Sequence, residues 1–231
     1  MRLRNDLNKF SEAHILKIAS DICNISPSNI LLIGGGMVLP EITGFKRLRA
    51  RSNDLDFIVN GRGFSDALNS EMFQERNFVE NGRIVYTSVN GMTVALFVNG
   101  VRGYDIPREI YEFPIVKKTS LGIIYHIPWE LNTALKIRRG LTKGHIYAKD
   151  AQDLASMVMG GEVNGNSFNV TALKGYMQNG VCDSCGLGSY LKCLEQLRQG
   201  TDNLRERERP AVLSVIDVCG SEFGEVCKYD S

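Results

Sequence analysis

Asn29-Ile30-Leu31-Leu32-Ile33-Gly34-Gly35-Gly36 decides how this chain is read. A short uncharged apolar run stopped by three glycines predicts a buried strand entering a tight turn, since glycine takes up turn conformations at little steric cost. Met37 to Ile42 then opens a helix. On the N-terminal side, Leu7, Phe10, Ile15, Ile18, Ala19 and Ile22 recur at helical spacing and predict a helix over 5–24. On the C-terminal side, Leu55 to Val59 is a second short apolar run, ended by Asn60-Gly61, and residues 64–76 read as helix. Arg83–Val89 and Thr93–Val98 flank Asn90-Gly91, a pair suited to the type I′ turn of a hairpin. The order helix, strand, helix, strand, helix, hairpin defines a mixed α/β unit.

After Pro128 the pattern turns helical, over Trp129–Arg139 and again over Ala148–Met159. Gly160-Gly161-Glu162-Val163-Asn164-Gly165-Asn166-Ser167 is rich in turn residues and is expected to part a domain over 1–160 from a helical region over 161–231. Two or three further helices complete that second region.

The whole chain has 231 residues, with 27 Lys and Arg against 26 Asp and Glu, a net charge of +1. That balance argues against a protein that coats nucleic acid by bulk electrostatics. The long uncharged stretch from Ile22 to Pro40 contains Asn24, Ser26, Pro27, Ser28, Asn29 and the three glycines, so it does not read as a membrane span. Arg2, Arg4, Asp6 and Lys9 without an apolar core do not make a signal peptide, and a cytoplasmic location is expected. Six unevenly spaced cysteines fit reduced thiols.

Chemistry concentrates in Ser52-Asn53-Asp54-Leu55-Asp56-Phe57-Ile58-Val59. On a strand of period two, Asp54 and Asp56 share a face while Leu55 enters the core. Two carboxylates about 6–7 Å apart at a strand end repel unless a cation lies between them. Mg²⁺ (or Mn²⁺) suits carboxylate plus phosphate oxygen. The glycines upstream let backbone N–H groups approach a phosphate. Neither a Walker loop nor a dinucleotide fingerprint is completed here. Lys46, Arg47, Arg49 and Arg51 lead straight into the carboxylates, with no acid among them.

These residues resemble a family. Gly35-Gly36-Met37-Val38-Leu39 followed by Arg51-Ser52-Asn53-Asp54-Leu55-Asp56-Phe57 is similar to the nucleotidyltransferase superfamily, and most to its small AbiEii-type toxins of toxin–antitoxin systems. Pro128-Trp129-Glu130-Leu131, Lys136 and Lys149-Asp150-Ala151-Gln152-Asp153-Leu154 extend the likeness, which spans about residues 28–159. It implies a mixed sheet flanked by helices and transfer of a nucleoside monophosphate from a triphosphate to an acceptor hydroxyl on a protein, an RNA end or a small molecule. By carry-over, Asp54 and Asp56 hold the metal. Gly35, Gly36, Ser52, Arg49, Arg51, Lys136 and Lys149 contact the nucleotide, while Asp150 and Asp153 organise the helical segment.

The family places a third carboxylate on a later strand, where this chain has Ala95. Asp105 is the expected substitute and Glu109 a poorer one; the other reading is an incomplete site that binds nucleotide with slow transfer or none. Cys182-Asp183-Ser184-Cys185 with Cys193 has part of a zinc spacing, but structural zinc takes four ligands, so reduced thiols are expected. His14, His126 and His145 read as packing or surface residues, and Arg205-Glu206-Arg207-Glu208-Arg209 as a solvated helix end. A homo-oligomer stays open.

Overall fold

The computed structural model describes residues 10–45, 54–101, 104–143, 146, 148–164, 168–181 and 187–226. They divide into two compact units, one drawn from 1–42 and 50–128, the other from 43–49 and 129–231.

The first unit is built on a mixed sheet. Its strands are β1 (Ile30–Ile33), β2 (Asp54–Val59), β3 (Arg76–Val79), β4 (Ile84–Val89), β5 (Met92–Val98), β6 (Ile115–Thr119) and β7 (Gly122–His126), in the spatial order β3-β4-β5-β2-β1-β7-β6. All four residues of β1 are fully buried, which is why its sequence is an unbroken apolar run. β2 runs antiparallel to β1 and parallel to β5. Helix α1 (Glu12–Ile25) starts where the Ser11 hydroxyl accepts the His14 N–H at 3.1 Å. It buries Ile15, Leu16, Ile18, Ala19 and Ile22, each large side chain stabilising the fold by about 1.5–3 kcal/mol.

The hairpin forms as expected. Asn90 and Gly91 both have positive φ, 51° and 81°, as a type I′ turn demands. Three local expectations change. The stretch after the glycines is a 3₁₀ turn over Gly34–Val38 and a single helical turn, α2 (Pro40–Thr43), because Pro40 cannot continue the preceding ladder. The helix expected over 64–76 is α3 (Gly61–Asn69), capped by the Asn60 side chain at the Gly63 N–H. It stops at Ser70, and residues 76–79 pair with β4 instead. Finally, β6 and β7 form a second hairpin, absent from the sequence reading, that docks β7 parallel to β1. The short helix α4 (Glu109–Glu112) precedes β6.

The second unit is helical, with α5 (Trp129–Lys143), α6 (Ala148–Val163), α7 (Val170–Val181), α8 (Leu187–Gly200) and α9 (Arg209–Val226). Leu131, Leu154, Leu173, Leu194, Val212 and Ile216 are buried in its core. Helix α6 runs through Gly160 and Gly161 to Val163, and the second unit takes in 43–49 and 129–231. Gly160 serves close packing: a Cβ there would stand 2.8 Å from the Thr43 Cβ and carbonyl oxygen. Asn164 holds the same place by donating to the Thr43 carbonyl at 2.6 Å.

Among the described residues no helix is long and apolar enough to cross a membrane.

Candidate functional site

Asp54 and Asp56 open β2, the first exposed and the second half-buried, while Leu55 between them is fully buried. The alternation read from sequence is the one the sheet uses. Ile33, the last residue of β1, is the register partner of Asp56, so the glycine turn begins beside that carboxylate. Gly34 has φ +68°, and a Cβ on it would stand 3.0 Å from the Asp56 Oδ2. Any side chain there would meet both a left-handed backbone and the carboxylate. Gly36 has a different reason: its missing Cβ would fall 2.9 Å from the side chains of Leu32 and Leu55, so it permits core packing. Gly35 is half-buried between them. The resemblance singles out Gly35 and Gly36; Gly34, which opens the same turn, is the glycine that reaches the acid.

The register also fixes the neighbours. Asp54 stands beside Thr93 and then Ser88; Asp56 stands beside Ala95, Tyr86 and then Asn77. Ala95 is therefore the lateral neighbour of Asp56 on the same face, buried to 2 % exposure. No carboxylate comes from β5. A groove of about 560 Å³ continues along this part of the sheet, lined among others by Glu75, Asn77, Tyr86, Ser88 and Thr93. Its polar floor was legible as alternation in β4 and β5, where Tyr86 and Ser88 interleave with buried Val85, Thr87 and Val89.

Asp105 is not brought to the pair. β2 and β5 run parallel and end together at Val59 and Val98, and the Asn99 N–H donates to the Val59 carbonyl. The Asn99 side chain then clamps Ile106, accepting its N–H at 2.9 Å and donating to its carbonyl at 3.0 Å. Asp105 is thus held at the far end of the strands, three residue steps of β2 beyond Asp56 and five beyond Asp54, or roughly 10 and 16 Å. Beside it, burial and then the Asp105 charge push the Tyr111 hydroxyl well above the ordinary phenol range. Glu109 follows in α4, which the same loop leads into.

Lys136 and Lys149 belong to the second unit. Lys136 is buried, and its ammonium donates to Asp150 at 3.1 Å and to Asp153 at 2.7 Å. Arg139 adds bonds to both Asp150 oxygens at 2.9 and 3.0 Å. Burial opposes the Asp150 charge, but Lys136 and Arg139 outweigh it, and its carboxyl lies below the ordinary range. Asp150 and Asp153 therefore tie α6 to α5, the organising role expected of them. Lys149 is exposed on α6. Arg49, Arg51 and Ser52 lie outside the described residues, as do Lys46, Arg47, His145, Cys182 and Cys185.

Among the remaining candidates, His126 is buried and hydrogen-bonded through Nδ1 to the Ile127 carbonyl, and burial depresses it to about 4. It is a packing residue, neutral at pH 7. His14 stacks on Phe10, ring centroids 5.2 Å apart. The stretch 205–209 differs from expectation: Glu208 is fully buried, accepts the Arg205 N–H, and precedes α9. Arg207 covers the Phe45 ring at 5.7 Å.

The donor set suits a hard divalent cation. Two carboxylates on one strand face hold Mg²⁺ when substrate phosphate oxygens and water supply the remaining ligands, with no third acid required for binding. No group of three metal-ligating side chains occurs among the described residues. No protein-family model matches the chain, and no curated protein matches it significantly.

Proposed function

We propose that the first unit binds a nucleoside triphosphate with Mg²⁺ or Mn²⁺ at Asp54 and Asp56 and transfers its nucleoside monophosphate to an acceptor hydroxyl. One observation carries this reading: the glycine turn after β1 closes directly onto the Asp56 carboxylate, with Asp54 on the same face. Asp54 and Asp56 would hold the cation, with the glycine turn, free of side chains, beside Asp56. The bound cation would withdraw charge from the phosphates and so favour departure of pyrophosphate. In the transfer, the acceptor oxygen forms a bond to the α-phosphorus while the bond to the bridging oxygen of pyrophosphate breaks. The hydroxyl proton passes to a carboxylate of the pair or to water. A cytoplasmic location accords with such a substrate pool and with Cys23 as a buried reduced thiol.

A second reading rests on its own observation. Ala95 is the lateral neighbour of Asp56, and Asp105 is held at the other end of the strands. A site short of the third carboxylate would bind nucleotide and transfer slowly or not at all, acting as a nucleotide-responsive regulator.

Radiolabel transfer from α-labelled triphosphate to a cell extract, with pyrophosphate release measured alongside, separates the readings. Under the first, the unmodified chain labels an acceptor and Asp54→Asn does not; undiminished labelling by Asp54→Asn would sink it. Under the second, calorimetry shows Asp54-dependent triphosphate binding without pyrophosphate release.

A further inference from the structure

The sheet of the first unit has two outer strands, and they are finished differently. On β3, Phe78 is half-exposed, but the Arg76 guanidinium lies 5.5 Å from its ring and donates to the carbonyls of Leu68 and Phe73. That edge carries a fixed charge over its apolar side chain, a common way of blunting an edge strand. On β6 the charge is Lys117 and Lys118, and the apolar surface beside them is wider. Ile115 and Val116 are 40 % and 52 % exposed, Phe113 just before the strand is 79 % exposed, and Leu121 in the hairpin turn 36 %. Four of the six large apolar side chains exposed among the described residues thus sit on one hairpin edge. Among the described residues no strand pairs with the outer side of β6.

The edge is also held in place. Ser120, at the hairpin turn, donates its N–H and hydroxyl to the Glu41 carboxylate at 2.9 and 2.7 Å, and the Thr119 hydroxyl bonds the Gly122 carbonyl at 2.9 Å. Those donors keep the Glu41 carboxyl below its ordinary value. A strand already in β conformation costs an incoming strand only its own ordering.

We propose that β6 is the docking edge for an extended segment of another protein, apolar and acidic in alternation, which adds to the sheet as an eighth strand. Backbone hydrogen bonds supply affinity in this mode, and side chains on alternate positions supply selection. Charge chooses the occupant. Lys117 and Lys118 are adjacent on the strand, so both faces of the edge present an ammonium beside apolar surface. A second copy of the chain is a poor fit: the antiparallel self-pairing that overlaps all five residues is centred on Lys117 and sets it opposite Lys117 of the copy. Like charges directly opposite destabilise a strand pair. A strand alternating acidic and apolar residues sets its acids on one face, opposite Lys117 or opposite Lys118, and its apolar residues on the other. Glu112, the nearest acid before β6, is already paired with Arg108 at 3.1 Å.

The test uses the full isotope-labelled chain and two capped nine-residue peptides, one alternating Val with Glu, the other Val with Lys. The acidic peptide is expected to shift amide resonances of β6 and its flanks, to bind at least tenfold tighter than the basic one, and to weaken as salt rises. Lys117→Glu combined with Lys118→Glu reverses the preference, while thermal unfolding shows that the fold is intact. Equal affinity for the two peptides, shifts confined to other strands, or no binding at millimolar peptide overturns the proposal. So does a chain dimer in ultracentrifugation that Val116→Lys dissolves, which would assign the edge to a second copy.

Discussion

Asp54 and Asp56, two apart on a strand, and Asp150 and Asp153, three apart on a helix, are carboxylate pairs kept under opposite conditions. The helical pair is buried, with Lys136 between its members and Arg139 on one of them. The strand pair lies at an open sheet end, Asp54 exposed, beside a turn from which side chains are excluded. The helical pair's charge is met by the fold itself and serves to join α5 to α6. The strand pair opens β2, with Asp54 exposed and Asp56 half-buried. An acidic motif in sequence does not distinguish these two settings; burial does.

The largest expected effect comes from breaking the buried side of this comparison. Lys136→Met would leave two buried carboxylates facing each other without their shared ammonium, at a cost of about 3–5 kcal/mol. Denaturant unfolding of the second unit should shift accordingly, with the Asp150 carboxyl raised from its present value although Arg139 stays bonded to it. A loss under 1 kcal/mol would mean that the cluster does not carry the α5–α6 junction.

Acid separates the two units next. Burial holds folded His126 at about 4, against an ordinary value of 6.5, so between these values the unfolded chain binds the proton that the folded one refuses. Stability of the first unit is full above pH 6.5 and falls by about 3 kcal/mol as pH drops to 4. Asp150 behaves otherwise: its contribution is present above the ordinary carboxylate range and is lost only as pH falls through its lower folded value. The first unit should therefore loosen first on acidification. His126→Gln should flatten the slope between pH 6.5 and 4 in a denaturation series, and an unchanged slope would refute the assignment.

A smaller change bears on the strand pair. Gly34→Ala forces a Cβ into a left-handed backbone and against the Asp56 Oδ2, costing about 1–2 kcal/mol. The same substitution should weaken Mg²⁺–triphosphate binding, read by calorimetry, because the side chain enters the space beside the carboxylate. Gly82→Ala is the control: φ there is +76°, but nothing lies within 4 Å, so it should cost stability without touching binding.

How far these features could be read in advance depended on how local their causes are. Asn90-Gly91 announces its turn because positive φ at both positions is a property of those residues. β1 and β2 were legible because both are buried between neighbours and so lose all polar residues but the two acids. β6 and β7 were not: Ile115-Val116-Lys117-Lys118-Thr119 has no clean alternation, and the pairing of Leu32 with His126 joins residues far apart in the chain. Gly160-Gly161 looked like a break because glycine is ambiguous between turn and close approach, and only Thr43 resolves it. The placement of Asp105 was within reach. Any residue that follows a strand parallel to β2 leaves at the end opposite Asp54, and β5 is such a strand.

The smallest expected effect on stability is the most discriminating. Asp54 is exposed and lies two residues from another carboxylate, so Asp54→Asn relieves a like-charge contact at little burial cost. In chelator its unfolding free energy should stay within about 0.5 kcal/mol of the unmodified chain. Added Mg²⁺ and triphosphate, at a hundred times the dissociation constant, should stabilise the unmodified chain by about 2.7 kcal/mol and leave Asp54→Asn unmoved. A variant as stable as its parent that ignores the ligand would separate presentation of charge from its burial, which is the distinction between the two aspartate pairs. A variant that unfolds in chelator would place Asp54 with Asp150 and Asp153, as a structural acid, and remove the reason for seeking a nucleotide there.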